Sequence, residues 1–306
     1  MGQVVKLQQK RLLYMGLIAV LVLIWFFYRA NGPQTTAVLA GTVRAATLLA
    51  LGAMCGMIGE RSGVVNIGIE GQFLLSAFAA FTIASMTGSL FMGTIAGVGM
   101  GLLMGWVLAG MAVGLKVDQI IAGTVLNISA LGLTSFFYDR SRSLGMGKYT
   151  NIDLGPLADL PLVGTVLFSR PPLTYLTMAL LVVVHIALFR SVWGMRTRAI
   201  GEHPGAADTV GIDVIKLRYL NVTIAGGLAG LGGAYLALEA VGTFSRAMSG
   251  GRGFLALAVM ILVAARRSVP MQRRYSLDLP LPCKISFNST VPLTFRHSLL
   301  GCSRLS

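Results

Sequence analysis

The chain reads as an all-α protein, a bundle of transmembrane helices, and three observations predict this. Of its 306 residues 55% are hydrophobic, and the mean hydropathy is +0.76. Only 12% are charged, about half the share usual in soluble proteins. Apolar runs long enough to cross a bilayer recur along the chain.

Seven full spans are expected, at residues 12–28, 39–57, 73–90, 91–115, 119–138, 173–189 and 219–240. An eighth starts at Phe254 and fades by Ala265. The first follows Lys6, Lys10 and Arg11 and lacks a small-residue cleavage site after it, so it reads as a retained span rather than a signal peptide. Segment 73–115 is nearly continuous, and its length divides it at Gly88. Gly97, Gly101 and Gly105 recur every four residues, as do Gly226 and Gly230, which predicts close helix packing.

Lys and Arg number 25 against 11 Asp and Glu, a net charge of +14. The bases sit in loops and in the tail, so they are assigned to orientation in the membrane and not to nucleic acid. Lys6, Lys10 and Arg11 place the N-terminus in the cytoplasm, and the basic connection 190–218 then falls on the same side. The connection 139–172 falls outside although it carries Arg140, Arg142, Lys148 and Arg170, a mild conflict with the rule.

Between the second and third expected spans stands ERSGVVNIGIEGQ, residues 60–72, with Glu60, Arg61, Ser62, Asn66, Glu70 and Gln72. Charges at membrane depth are costly, and three glycines within nine residues do not suit an unbroken helix. Two readings stand: a break between helical segments inside the membrane, or a short loop at its surface. Glu60 and Arg61 are adjacent and would not face each other on a helix, which makes Arg44 a candidate partner for Glu60 or Glu70. Glu239, near a span end, reads as interfacial. The amides of Asn66, Gln72 and Asn127 and the hydroxyl of Ser129 are available either to a neutral solute or to neighbouring helices.

In the connection 190–218, residues 201–212 (GEHPGAADTVGI) read as one short helix, with Pro204 in its first turn and Gly211 just past its end. It could dock in the cleft of a partner or stand in solvent. His185, His203 and His297 have no metal-ligand spacing, so no metal is assigned, and no catalytic motif appears. Gly147-Lys148-Tyr149-Thr150 lacks the upstream glycine and the Ser or Thr after Lys of a phosphate loop. The three cysteines, Cys55, Cys283 and Cys302, imply no disulfide framework.

Three blocks resemble the permease subunits of bacterial ATP-binding-cassette importers, in the branch for nucleosides and simple sugars that is related to branched-chain amino acid permeases. They are residues 60–72, VDQIIAGTVLN at 117–127, and the series GEHPGAADTVGI, AGGLAGLGGA and GRGFLALAVMI at 201–212, 225–234 and 251–261. The resemblance implies a pore-forming subunit of a bacterial inner membrane, with no cofactor of its own. Its implied partners are a second permease subunit, an extracytoplasmic substrate-binding protein and a cytoplasmic ATP-binding subunit that hydrolyses ATP. It places Glu60, Arg61, Ser62, Asn66, Glu70 and Gln72 at a broken helix near the translocation path, which Asn127 is also expected to line. It also makes Gly201, Glu202, Pro204, Ala206, Ala207 and Gly211 the coupling helix that docks on the ATPase. Two rival classes stay open, a transporter or channel driven by an ion gradient, with inverted repeats and a buried acid, and a non-transporting scaffold.

The permease character covers residues 1–265. Residues 266–306 depart from it, as the tail from 264 onward holds seven bases against the single acid Asp278 and no apolar run long enough to span. A frameshift or truncation in the coding sequence accounts for a loss of hydropathy within a recognised motif; a natural basic tail is the other reading.

Overall fold

The structure is a computed structural model, and it describes residues 25, 27–29, 31–138, 147–153 and 164–262. Nine helices are labelled here: α1 (Gly32–Arg61), α2 (Ile69–Thr87), α3 (Leu90–Ala109), α4 (Gln119–Phe136), α5 (Pro172–Arg190), α6 (Val192–Glu202), α7 (Pro204–Thr209), α8 (Val214–Ala234) and α9 (Arg252–Leu262). π-Helical turns extend α3 over Gly110–Gly114 and α8 over Tyr235–Val241. Two short strands, β1 (Ile152–Asp153) and β2 (Ser169–Arg170), pair antiparallel before α5.

Among the described residues six helices are long and apolar enough to cross a membrane: α1, α2, α3, α4, α5 and α8. They match six of the seven expected spans. The first, residues 12–28, lies outside the described residues, as does the tail 266–306. The expected fading eighth span is the short apolar helix α9.

Local chemistry sets most ends. Pro33 sits in the first turn of α1, where a missing N–H costs nothing. Gly88 closes α2 with φ of 65°, a left-handed conformation that glycine adopts without a Cβ clash. Asp118 caps α4 by accepting from the amides of Ile120 (2.8 Å) and Ile121 (3.3 Å), and Asp213 caps α8 through Lys216 N. α1 starts well before Leu39, because Thr35, Thr36 and Thr42 return their hydroxyls to carbonyls a turn earlier and Arg44 does not interrupt the helix.

α8 is the central helix, with 83% of its apolar window buried, against 28% for α4 and α5. The glycine faces explain how it gets there. A Cβ on Gly101 would lie 2.4 Å from the Gly226 carbonyl oxygen, and one on Gly226 would lie 2.4 Å from that of Gly101. These backbones touch, as lipid-embedded packing by dispersion requires. Phe91, Ile95 and Trp106 on α3, Ile120 and Ile128 on α4, and Val182 and Val183 on α5 are exposed. In a membrane these are the faces turned to lipid, or to other membrane subunits.

α9 runs beside α1 in the same direction, since Gly52 lies against Ala256 and Gly56 against Met260. Phe73 also packs on Gly52 and Ile69 on Gly56, so α2 returns antiparallel to α1. The first residues of α2 and of α9 therefore meet inside the bundle, short of the Arg61 end of α1. Both segments are discontinuous, and they approach that level from opposite ends.

Candidate functional site

The break between α1 and α2 is present, and side chains of α4 and α8 hold it. Arg61 ends α1, Gly63 takes φ of 81°, and the chain re-enters helix at Ile69. Ser62 is fully buried and donates its hydroxyl to Gly59 O at 2.7 Å. From α4, Gln119 accepts Val65 N–H at 2.8 Å and donates to Gly63 O. Asn127 on the same helix accepts Gly71 N–H at 2.7 Å and donates to Ile67 O at 3.1 Å. From α8, Arg218 Nε donates to Ser62 O at 3.0 Å while its Nη2 reaches Ile200 O on α6 at 3.1 Å. Irregular backbone packed inside a helical bundle needs internal partners for its polar groups, and these side chains supply them.

Asn66 and Gln72, both buried, face each other. Asn66 Nδ2 donates to Gln72 Oε1 at 3.0 Å and approaches Cys55 Sγ at 3.4 Å. Asn66 Oδ1 and Gln72 Nε2 are buried without a partner among the described residues. Ser129 is exposed on α4 and joins none of this.

Glu70 does not pair with Arg44. Its two carboxylate oxygens accept the backbone N–H groups of Gly251 and Gly253, each at 2.7 Å. The acid lies at the start of α9, where free amides and the helix dipole favour negative charge more than a distant guanidinium does. A Cβ on Gly253 would lie 2.6 Å from Glu70 N, so glycine permits the approach. Glu60 and Arg61 are half-buried, and neither side chain hydrogen-bonds a described residue.

Glu239, two residues before the end of the α8 extension, is buried. It is 5% exposed, and it accepts Leu173 N–H at 2.9 Å and the Thr174 hydroxyl at 2.5 Å, so it caps α5 from within the bundle. Nearby, Arg170 holds the loop before α5 against α1 through Val166 O and Ala40 O. Burial, with Arg44 close by, pulls its pKa below the usual arginine value.

The short helix of residues 201–212 is split. Gly201 and Glu202 finish α6, His203 breaks the helix, and Pro204 opens α7, which carries Ala206 and Ala207. Proline disfavours helical backbone in the residue before it, which is why one helix became two. At the other end the expectation held. Gly211 has φ of 80°, its N–H meets Asp208 O, and Ile212 N–H meets Ala207 O, a Schellman cap. Ala207 is buried, whereas Glu202, Pro204, Ala206 and Val210 are exposed beside an open groove of about 650 Å³. A Cβ on Gly201 would lie only 2.3 Å from Arg61 O, so α6 sits directly on the break.

The sequence reading missed Gln119, Arg218, Gly251 and Gly253. Gln119 stood inside the second block, beside the capping Asp118, and Gly251 and Gly253 opened the segment 251–261 of the third, so these three had a visible signal.

Residues 38–270 match the family described as branched-chain amino acid transport system / permease component. The chain is similar to a putative glucose ABC transporter permease protein of Haloferax volcanii, 37% identical over 79% of this chain and 74% of that protein. It is also similar to the guanosine ABC transporter permease protein NupQ of Bacillus subtilis, 34% identical over 73% of this chain and 74% of that one. The nucleoside ABC transporter permease protein NupC of Lactococcus lactis is 34% identical over 67% and 68% respectively. No solved structure matches.

Proposed function

We propose that this chain, which belongs to the family of branched-chain amino acid transport system permease components, is the membrane subunit of an ATP-binding-cassette importer for nucleosides or simple sugars. The relatives are named as permeases for glucose, guanosine and nucleosides, which supports this substrate group. ATP is bound and hydrolysed on a separate cytoplasmic subunit, a second permease completes the pore, and an extracytoplasmic binding protein delivers the solute. The N-terminus and α7 lie on the cytoplasmic face of a bacterial inner membrane.

The observation that carries the mechanism is the Arg218 bridge. One guanidinium spans Ser62 O in the break and Ile200 O, three residues before the α6–α7 junction. Gly201 rests on the Arg61 carbonyl at the same place. A partner ATPase that grips the exposed residues of α7 would move α6 as a lever, and the break would follow. Glu60, Arg61, Ser62, Asn66, Glu70, Gln72 and Asn127 would then border the path as its jointed wall. The hydrogen bonds of Ser62, Asn66, Glu70, Gln72 and Asn127 fix the wall's shape, and the backbone they hold faces the solute. The hypothesis of a frame change near codon 261 belongs with this proposal; an apolar helix restored in another frame supports it, and no such helix in either frame refutes it.

The test is the ATPase rate of the reconstituted importer with binding protein and nucleosides. Stimulation by a nucleoside is expected, and Arg218→Gln should lower the stimulated rate while leaving the unstimulated rate in place. No response to any nucleoside or sugar, from a chain that assembles with its ATPase, would refute the proposal.

A further inference from the structure

A cavity of about 310 Å³ lies between α1, the π-helical end of α8 and the start of α9. It is within the size range of small-molecule sites and has room for roughly ten waters. Its apolar walls include Leu48, Leu49 and Leu255, with Tyr235 beside them. Two guanidiniums, Arg44 and Arg252, stand at it.

Two helices give its depth. Arg44 precedes the end of α1, and Tyr235 follows Arg218 on α8, by the same stretch of about 25 Å of helix. Tyr235 donates its hydroxyl to the Arg44 carbonyl at 3.0 Å, which ties the two counts together. Arg252 is one helical turn before Ala256, which packs on Gly52, so it stands level with Leu48 and a turn deeper than Arg44. The cavity therefore begins within the bundle, beside the discontinuous helix α9, and extends toward the end away from the break.

Among the described residues neither guanidinium makes a hydrogen bond or an ion pair. The nearby acids are engaged elsewhere. Glu239, in an adjoining pocket shared with Arg44 and Tyr235, is held by Leu173 and Thr174. Glu70 grips the amides on either side of Arg252, at Gly251 and Gly253, and so fixes where that arginine starts.

Guanidinium offers only donors, in a rigid planar fork that fits two adjacent acceptors in one plane. A 6-oxopurine offers such a pair, O6 and N7, on one edge. Adenine sets an amino donor beside N7, so one arm of the fork would face a donor. Sugar hydroxyls both donate and accept and give no such discrimination. Aliphatic walls suit the faces of a planar base, whereas a bare inorganic anion would leave them against water.

We propose that Arg44 and Arg252 form the base-recognition site of this permease, selecting 6-oxopurine nucleosides such as guanosine and inosine over adenosine. This rests on the transport reading above. Glu70 is a positioning residue for Arg252.

The test is uptake of labelled guanosine by the complete importer in proteoliposomes, against unlabelled inosine, adenosine, glucose and inorganic phosphate. The wild-type complex should prefer inosine over adenosine about tenfold, within the range of one bidentate contact. Arg44→Lys and Arg252→Lys keep the charge and remove the fork, so each should bring that preference close to one. The binding protein is the same in all complexes, so the change reports on this chain. If the wild type takes up nucleosides and both variants keep its preference, this inference is overturned and the transport reading stands. If phosphate competes as well as inosine, the site is an anion site and the inference is overturned. If the wild type takes up no nucleoside, both fall. A second measurement covers poor assembly of the lysine variants. Ala45→Cys at the cavity wall, with Cys283→Ser and Cys302→Ser, should be alkylated more slowly with guanosine than with adenosine, and equal rates would overturn the inference.

Discussion

The break after α1 and the cavity beside α9 both bring polar groups to membrane-length helices, and they use them in opposite ways. At the break, Gln119, Asn127, Arg218 and Glu70 each spend two hydrogen bonds on backbone. At the cavity, Arg44 and Arg252 spend none on any described residue. The first pattern is what holds non-helical chain inside a bundle. The second leaves the donors of two exposed side chains without a partner among the described residues. The motif most conspicuous in the sequence is thus the better-satisfied one, and the open chemistry sits on two arginines outside it.

Substitutions should separate the two regions by size of effect. The largest is expected for Gly201→Val. Its Cβ would strike backbone, the Arg61 carbonyl, and backbone cannot rotate away. Overpacking typically costs about 1–3 kcal/mol, with more where nothing yields. Purified yield and melting temperature in detergent should both fall sharply; an unchanged melting temperature would mean that α6 does not sit on the break.

Next comes Glu70→Gln. The amide keeps one acceptor and strands one of the two α9 amides, and hydrogen bonds to a charged group are worth about 1.5–3 kcal/mol. A clear drop in melting temperature is expected, together with weakened substrate selection if Arg252 depends on this grip. Loss of selection without loss of stability would put Glu70 itself at the solute.

Asn127→Ala should cost somewhat less, roughly 1–2 kcal/mol, because the site is only half-buried and water can reach part of it. Asn127→Asp keeps the acceptor for Gly71 N–H and loses the donor to Ile67 O, so it should fall between alanine and wild type. If aspartate is as stable as asparagine, the donor arm does not matter.

The smallest effect on stability is expected for Arg44→Gln, within about 0.5 kcal/mol, as for an exposed side chain that binds nothing in the fold. A destabilisation comparable to that of Asn127→Ala would erase the contrast between the two regions and make Arg44 structural.

Much of this architecture is legible along the chain. Hydropathy places the six described spans, the four-residue glycine spacing marks the α3–α8 contact, and Gly63, Gly88 and Gly211 sit where the helices stop. These are local properties: the apolar length needed to cross a bilayer, and the backbone angles glycine alone adopts readily. The sequence also locates the polar break, although not whether it lies in the membrane or at its surface.

The partners of the charges are a different matter. Glu70 meets Gly251 and Gly253, Arg218 meets Ser62, and Glu239 meets Leu173 and Thr174, contacts between residues 65 to 183 positions apart. Assigning Arg44 to an acid rested on sequence position, and the fold gave Glu70 backbone amides instead. Periodicity gives no help here, because in lipid a helix is apolar on the face toward its neighbours and on the face toward the bilayer. Composition and local breaks therefore determined that this is a bundle of membrane helices with an interruption after the first described span. Only the tertiary structure decided which polar groups hold the interruption together and which have no partner among the described residues, since that depends on how distant helices pack.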